Sequence, residues 1–426
     1  MVGEGVIGAI INIVVLSYVA RTLGPESYGM YAYVFALAAL LASFGHLGLD
    51  PIAIRSLVNE PELLHGEILG TAMVLRLVAY GLAAIGLVFY GIFNPDHSHL
   101  EVSLFFAAAV FLVSQPGTTV PVLWFRAKSD MRSPSASNLF VAFVGGMLKI
   151  AVLTAGFGVL ALGISQAFAG IAASGLLICV FLKKGGMRFS MWSISRNRIA
   201  AMLKNSWRFQ VGGLLAALYL QIDIPLIRVF AGPEDVGEYA VAARLVAMLG
   251  IFAVAVAATV YPLMIRAHEQ GRKAEDHMLR LCFSIMTLGA YFFIVAEILV
   301  GDEVLRLLIG ERFEESGALV SILILTLPFA FTRPITNHWA VLNNRGNFII
   351  LSESLGALIV ICLNLVLLPT LGAYGAALSM LISFTVASIF AKLFKRDTRR
   401  LLALQAISFI NPVTPVLSIL FKRFKN

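Results

Sequence analysis

Apolar residues in this chain occur in stretches of about 20, separated by short polar segments. A helix needs about 20 mainly apolar residues to cross the hydrocarbon core of a membrane. The pattern predicts twelve spans: 2–20, 28–49, 67–93, 100–124, 136–156, 161–182, 208–230, 237–262, 280–301, 316–342, 348–368 and 374–394. The chain is therefore predicted to be an all-α integral membrane protein with about twelve transmembrane helices.

A short phrase occurs twice, each time between two apolar stretches. Residues 24–31 read GPESYGMY and residues 232–239 read GPEDVGEY. Such long-period self-similarity in a membrane chain is typical of transporters built from two repeats. Each half has six spans, so both halves are predicted to have the same orientation. The chain is predicted to consist of a six-helix bundle 1–182, a cytoplasmic connecting loop 183–207, a second six-helix bundle 208–394, and a basic interfacial cytoplasmic tail 395–426.

Composition and charge support this assignment and orient it. Apolar residues make up 59% of the chain and charged residues 13%, which excludes an ordinary soluble domain. Most of the 32 lysines and arginines fall in connections on one side, which the positive-inside rule assigns to the cytoplasm. Both termini are therefore predicted to be cytoplasmic.

The tail is long enough to cross the membrane between Leu401 and Leu420, but Pro412 and Pro415 interrupt it. Basic clusters precede and follow this segment, and both favour the cytoplasmic surface. The pattern favours an interfacial segment on the inner leaflet, with a thirteenth span as the alternative.

Charged residues deep inside the spans are the first candidates for a functional site, because a charge there needs a partner or a water-filled cavity. The deep cations are Arg76, Lys149, Arg244 and Arg333. A cavity lined by them suits an anionic substrate, and arginine matches phosphate oxygens in a bidentate way. The alternative is that some of these residues form interhelical ion pairs that only stabilise packing.

One acid, Asp223, also lies deep in a span, and it is predicted to couple transport to an ion gradient or to balance the charge of the cavity. A pair between Asp223 and Arg244 is the structural alternative. Arg228, Glu297 and Glu353 lie near span ends, where their side chains are expected to reach the headgroups.

Prolines occupy corresponding spans of the two halves. The fourth span holds Pro116 and Pro121, and the tenth holds Pro328 and Pro334. Proline removes a helical hydrogen bond, so both helices are expected to bend. The four prolines are predicted to form a hinge, with static kinks as the alternative.

No catalytic residue, metal site or cofactor is predicted. The sequence lacks the phosphate-binding Gly-Lys loop of an ATP site, so an ion gradient or the membrane potential is the expected driving force. The cluster at 96–99 is expected to be a solvated turn, and the three cysteines lack metal-ligand spacing. Nucleic acid is not an expected partner.

Three segments carry a family resemblance: 19–29 (VARTLGPESYG), 45–50 (GHLGLD) with Arg55 after it, and 222–223 (ID) followed by 232–237 (GPEDVG). They resemble the oligosaccharide flippases of polysaccharide synthesis, the Wzx-type members of the superfamily that includes multidrug extruders and lipid II flippases. The resemblance covers nearly the whole chain, since the repeat, span count and loop lengths also match.

The resemblance implies two six-helix bundles around a central cavity. It also implies an undecaprenyl-diphosphate-linked oligosaccharide as substrate, turned from the inner to the outer leaflet of a bacterial cytoplasmic membrane for surface polysaccharide such as O-antigen or exopolysaccharide. Polymerase or export machinery are the implied protein partners. The alternatives are an ion-coupled multidrug or metabolite exporter of the same superfamily and a membrane-embedded glycan polymerase or ligase. A multidrug exporter is expected to prefer acids in its cavity, and a polymerase is expected to carry a large outer loop.

Overall fold

The computed structural model describes residues 2–394 and 396–416, with side chains from residue 7 onward. Almost all of this part of the chain is helical. The helices as far as α7 are α1 (Val2–Gly45), α2 (Asp50–Asn59), α3 (His65–Phe93), α4 (His99–Ala127), α5 (Arg132–Thr154), α6 (Val159–Lys183) and α7 (Arg196–Gln221). The others are α8 (Asp223–Phe230), α9 (Pro233–Glu269), α10 (Arg272–Ile309), α11 (Ser316–Ile324), α12 (Leu327–Leu342), α13 (Gly346–Leu393) and α14 (Arg396–Ile410).

Eight helices within these residues are long and apolar enough to cross a membrane, and ten if the bent pairs α7–α8 and α11–α12 each form one span. Two of the eight are long enough to cross the hydrocarbon core twice. Helix α1 has 44 residues and is about 66 Å long, twice the thickness of the hydrocarbon core. Gly24 interrupts it with non-helical backbone angles, and Gly372 interrupts the 48 residues of α13. Dividing both helices at these glycines yields the twelve predicted spans. The predicted all-α membrane fold is confirmed.

The repeated phrase has the same backbone feature in both copies. Gly24 has φ of 76° and Gly232 has φ of 102°, and each precedes a proline. Positive φ is accessible to glycine at little cost, whereas a side chain makes it unfavourable. The two glycines therefore occupy equivalent breaks between an incoming and an outgoing helix, which explains why the phrase recurs.

The chain divides into two compact units, residues 1–228 and 229–426. This division falls inside the predicted seventh span, because α7 packs against α1, α2 and α3 of the first unit. The predicted bundle boundaries at 182 and 208 remain a prediction about the membrane bundles.

The connection before α7 is fixed to the first unit through close backbone contacts. A Cβ atom on Gly66 would lie 2.3 Å from the Met191 carbonyl oxygen, and one on Gly70 would lie 2.6 Å from that of Ser193. The Ser193 amide also donates to the Gly66 carbonyl oxygen at 3.4 Å. Gly66 and Gly70 are thus required because the connecting segment crosses α3 in direct contact with their backbone.

We therefore expect Gly66→Ala to lower stability by about 1–3 kcal/mol, the range for overpacking a filled site. Gly81→Ala on the same helix is the matched control, since a Cβ atom there would meet nothing within 4 Å. Thermal unfolding of the purified proteins in detergent provides the comparison. Equal melting temperatures for the two variants would contradict the close approach of the connection to α3.

The tail contains a helix whose packing the sequence did not predict, while its interfacial position remains a prediction. Helix α14 packs against α10, α12 and α13, and its Leu401, Gln405 and Ser408 are almost completely buried. The burial of Gln405 depends on polar groups of α12 and α13, which the composition of the tail alone does not reveal. Residues 417–426, which hold the second basic cluster of the tail, lie outside the described residues.

Candidate functional site

Arg76, a predicted deep cation, forms an ion pair with Asp50. Arg76 lies 11 residues into α3 and has 0% exposure. Its Nη2 donates to Asp50 Oδ1. Asp50 belongs to the segment GHLGLD and is the first residue of α2. The sequence placed this segment within the family resemblance, but it did not predict an electrostatic partner for Asp50.

Backbone geometry places Asp50 at this position. Leu47 and Gly48 both have positive φ, 51° and 59°, so the chain turns sharply after the second span. A Cβ atom on Gly48 would lie 2.4 Å from the Gln210 amide nitrogen, so α7 packs directly on this turn. The turn therefore presents Asp50 to α3 and requires a glycine at position 48.

A second arginine shares the same carboxylate. Arg126, in the last turn of α4, donates from Nη1 to Asp50 Oδ2 at 3.1 Å. The side chains of Arg126 and Asp50 are 44% and 35% exposed. One carboxylate lies between two guanidinium groups, so the cluster keeps an excess positive charge at a partly open surface. This arginine cluster consists of Asp50, Arg76 and Arg126.

Arg76 also retains hydrogen-bonding capacity. Its Nε and Nη1 atoms are buried and have no hydrogen-bond partner among the described residues. A buried donor without a partner costs about 1–3 kcal/mol, which a bound water or anion would offset. Phosphate oxygens are suitable acceptors for guanidinium donors. The arginine cluster has the chemistry of an anion site.

The other predicted deep cations are Arg333, Lys149 and Arg244. Arg333 on α12 donates from Nη2 to Glu353 on α13, and the Glu353 side chain is 8% exposed. Lys149 is half-buried on α5, and Arg244 is exposed on α9. Arg76 and Arg333 therefore each pair with a carboxylate, which agrees with the packing alternative for those two. Their predicted role toward a substrate remains a prediction.

Asp223 is 2% exposed and is the first residue of α8. Helix α8 is bent by 46° relative to α7, so the carboxylate lies at a broken span. A helix N-terminus favours negative charge. The role of Asp223 in coupling remains a prediction.

Two side chains that were expected to reach the headgroups, Glu353 and Arg228, instead form ion pairs within the protein. Glu353 pairs with Arg333, as described above. Arg228 donates to Glu101 Oε1 from Nη2 at 2.9 Å and from Nε at 3.2 Å, and its guanidinium lies over the Tyr33 ring. Glu101 is 1% exposed and also forms a capping box with Ser98. Nearness to a span end therefore did not predict exposure to the headgroups.

The prolines differ between the two predicted hinge spans. Helix α4 continues through Pro116 and Pro121 as one element. The tenth span is broken between α11 and α12, which are bent by 44°, and Pro328 lies in the first turn of α12. Pro334 lies inside α12. Of the two proline-containing spans, the fourth and the tenth, the tenth alone has a clear break. The hinge role of the four prolines remains a prediction.

The connection before α7 is also held by an ion-pair cluster at the start of the third span. Arg198 donates to both carboxylate oxygens of Glu60, at 3.1 and 2.8 Å, and to Glu67 Oε1 at 2.9 Å. Hydrogen bonds from Arg198 hold the pKa of Glu60 below its ordinary value of 4.5. The stabilisation is therefore present above pH 4.5 and is lost as pH falls through the depressed pKa of Glu60.

We expect Arg198→Met to destabilise the protein by about 1–2 kcal/mol at pH 7, and this difference should shrink as the pH falls below about 4. Arg198→Lys should be intermediate, because lysine keeps the charge but lacks the bidentate geometry. Unfolding in detergent between pH 3.5 and 7 measures both effects. A pH-independent difference would show that packing, not charge, dominates at Arg198.

Comparison with known proteins identifies the family. The family model described as polysaccharide biosynthesis protein matches residues 2–268, more than half of the chain. The chain belongs to this family. The predicted kinship with polysaccharide-exporting flippases is thereby confirmed, and the protein is a multi-pass membrane protein.

Relatives and solved structures agree with the family assignment. A probable flippase from Haloferax volcanii, AglR, is 25% identical over 395 residues, covering 90% of this chain and 79% of its own. The probable low-salt glycan biosynthesis flippase Agl15 of the same organism is 21% identical over 392 residues, with the same coverage of both chains. The inward closed structure of the lipid II flippase MurJ has a TM-score of 0.77 at 13% identity, covering 98% of this chain and 94% of that chain. An inward-facing multidrug resistance transporter of the MATE family has a TM-score of 0.73 at 17% identity, covering 94% of this chain and 96% of that chain. These two structures show the likeness of fold.

Proposed function

We propose that this protein is a flippase that moves an undecaprenyl-diphosphate-linked oligosaccharide from the inner to the outer leaflet of a bacterial cytoplasmic membrane by alternating access. The product would supply cell-surface polysaccharide synthesis. Family membership and the names of the relatives support the class of function. Both termini would then be cytoplasmic, as the charge distribution predicts.

The arginine cluster is the observation that carries the substrate assignment. A lipid-linked oligosaccharide has a variable glycan, but its diphosphate is constant and anionic. Arg126 is exposed enough to contact a phosphate group. Asp50 pairs with Arg126 and holds it in position, and the buried Arg76 in turn holds Asp50. A bidentate guanidinium contact to phosphate oxygens is among the stronger charged hydrogen bonds.

Reconstitution in liposomes tests this function directly. The probe is undecaprenyl-diphosphate-linked N-acetylglucosamine, placed in both leaflets, and an added galactosyltransferase modifies only the molecules that reach the outer leaflet. We expect the purified protein to make the inner-leaflet fraction accessible, whereas protein-free liposomes keep it protected. Liposomes with a matched amount of the Arg126→Gln variant should turn the lipid over more slowly, because this change removes the exposed guanidinium and leaves the Asp50–Arg76 pair in place.

The same liposomes also test the alternatives. Transport of the cationic dye ethidium without lipid turnover would replace the proposal with a multidrug exporter. Formation of longer glycans from the lipid-linked probe, without turnover, would indicate a polymerase or ligase. Either result would overturn the flippase assignment.

A further inference from the structure

Helix α14 lies outside the twelve spans, yet its buried side reaches the broken tenth span. Gln405, at 1% exposure, donates from Nε2 to Thr332 Oγ1 at 2.9 Å. Thr332 itself is 1% exposed and donates to the Pro328 carbonyl oxygen at 2.9 Å. Gln405 is thus connected, through one hydroxyl group, to the proline turn at the start of α12.

A buried lysine explains why a polar residue is required at position 405. Lys392 on α13 is 2% exposed, and its Nζ donates to Gln405 Oε1 and to Ser388 Oγ, the latter at 3.3 Å. A buried ammonium or amine needs acceptors, because leaving it without them costs several kcal/mol. Gln405 accepts from α13 through its oxygen and donates to α12 through its nitrogen. One amide therefore connects three helices.

Contacts farther along α14 hold the rest of the helix. The Phe409 ring meets the Phe329 ring edge-on, with centroids 5.4 Å apart, so α14 contacts α12 at a second point, four residues after Gln405. The Phe409 carbonyl oxygen accepts from the Tyr291 hydroxyl of α10 at 2.9 Å. Ser408 donates to the Arg280 carbonyl oxygen of α10 at 3.3 Å. Gln405 and Phe409 therefore face α12, whereas Ser408 faces α10.

The residue after Thr332 is Arg333, which pairs with Glu353. Helix α12 is bent by 44° relative to α11. Rotation or straightening of α12 at this break would move Arg333. The hydrogen bond from Gln405 and the ring contact from Phe409 oppose such movement within the first two turns of α12.

We propose that α14 is a brace on the broken tenth span, and that Gln405 is a positioning residue that fixes α12 and Arg333 in the conformation used for transport. This inference rests on the proposed flippase function for its transport consequence, but the brace itself can be measured without substrate. It assigns a role to a C-terminal helix that composition placed at the membrane surface.

Variants can remove the connection without leaving a buried charge. Thr332→Val keeps the shape of the side chain and removes the hydroxyl, while Thr332→Ser keeps the hydroxyl. The double variant Lys392→Met/Gln405→Leu removes both linked polar groups together. Ser408→Ala is the control on the same helix, because Ser408 is buried and contacts α10.

Distances between spin labels report the brace. Labels are placed on Leu325→Cys, in the break before α12, and on Ile407→Cys of α14, since both positions are exposed. The exposed Cys179 and Cys362 are replaced by serine, while the buried Cys282 stays. We expect one narrow distance distribution in the parent, Thr332→Ser and Ser408→Ala proteins. A broadened or shifted distribution is expected in Thr332→Val and in the double variant.

Transport by the same proteins without labels completes the test. At matched protein amounts in liposomes, we expect Thr332→Val and the double variant to turn over the lipid-linked probe about five- to tenfold more slowly, the effect of losing one buried hydrogen bond. Unchanged distances would overturn the brace. Changed distances with normal transport would overturn the positioning role. If the parent protein moves no probe at all, the proposed function fails, and the distances still decide whether α14 restrains α12.

Discussion

Asp50→Asn should be among the most destabilising single substitutions in the first unit. Asparagine keeps the shape of the side chain but removes the charge that both arginines share. Arg76 has 0% exposure, so its guanidinium would be left as a buried cation without a counter-ion among the contacts described for it. Removing one partner of a fully buried pair costs about 3–5 kcal/mol, and the 35% exposure of Asp50 lowers the expected loss to about 2–3 kcal/mol. Thermal unfolding in detergent and the amount of protein in the membrane measure the effect.

Asp130→Asn is the matched control for this substitution. Asp130 also pairs with a cation, Lys184, and its side chain is 30% exposed compared with 35% for Asp50. Its partner is 57% exposed, so the control should cost less than about 1 kcal/mol. The double variant Asp50→Asn/Arg76→Met should recover much of the loss, since it removes the stranded cation. If Asp50→Asn melts with the parent protein, the charge of Arg76 is balanced by another group.

Asp223→Asn should abolish the response of transport to an imposed ion gradient. The carboxylate is 2% exposed and begins α8 at a bend of 46°, where a change in its protonation or ion binding can act on a broken span. Asparagine preserves shape and hydrogen bonding but cannot ionise. In liposomes with a proton or sodium gradient, we expect at least a tenfold fall in rate, about 1.4 kcal/mol or more, at an unchanged protein level.

Asp235→Asn separates coupling from simple loss of an acid. Asp235 accepts a hydrogen bond from the Ala373 amide at 2.9 Å, and asparagine can accept it too. This control should keep its gradient dependence. If Asp223→Asn transports like the parent at every imposed pH and potential, Asp223 is a structural residue and the driving force enters elsewhere.

The spans and the repeat could be predicted because each depends on local sequence. A crossing needs a run of apolar residues, and that run is visible without knowledge of the neighbours. The repeated glycine–proline turns could be predicted for the same reason, since positive φ at Gly24 and Gly232 is a local demand of the backbone.

The ion pairs could not be predicted by counting residues from span ends. Arg333 lies nine residues from the end of α12 and Glu353 seven residues from the start of α13, so they lie at similar depths. The short distance of Glu353 from its span end suggested a headgroup position, but the neighbouring helix supplies a partner at that depth. Arg76 and Asp50 are 26 residues apart, and only the turn at residues 47–48 brings them together.

The tail shows the same limitation on a larger scale. Its prolines and basic flanks favour the membrane surface when read alone. Burial of α14 depends on groups that Gln405 meets on two other helices, Thr332 on α12 and Lys392 on α13. No periodicity within the tail reports those partners, so the structure was needed to find them.

Binding of the lipid diphosphate to the arginine cluster tests the central claim most directly. Arg126 and Lys128 lie two residues apart, are 44% and 45% exposed, and each pairs with one carboxylate, Asp50 and Glu62 respectively. Titration of the detergent-purified protein with undecaprenyl diphosphate compares Arg126→Gln with Lys128→Gln. We predict about a tenfold loss of affinity, about 1.4 kcal/mol, for Arg126→Gln, and a change of less than about twofold for Lys128→Gln. Equal affinities for the two variants would contradict the assignment of the arginine cluster as the site that receives the diphosphate.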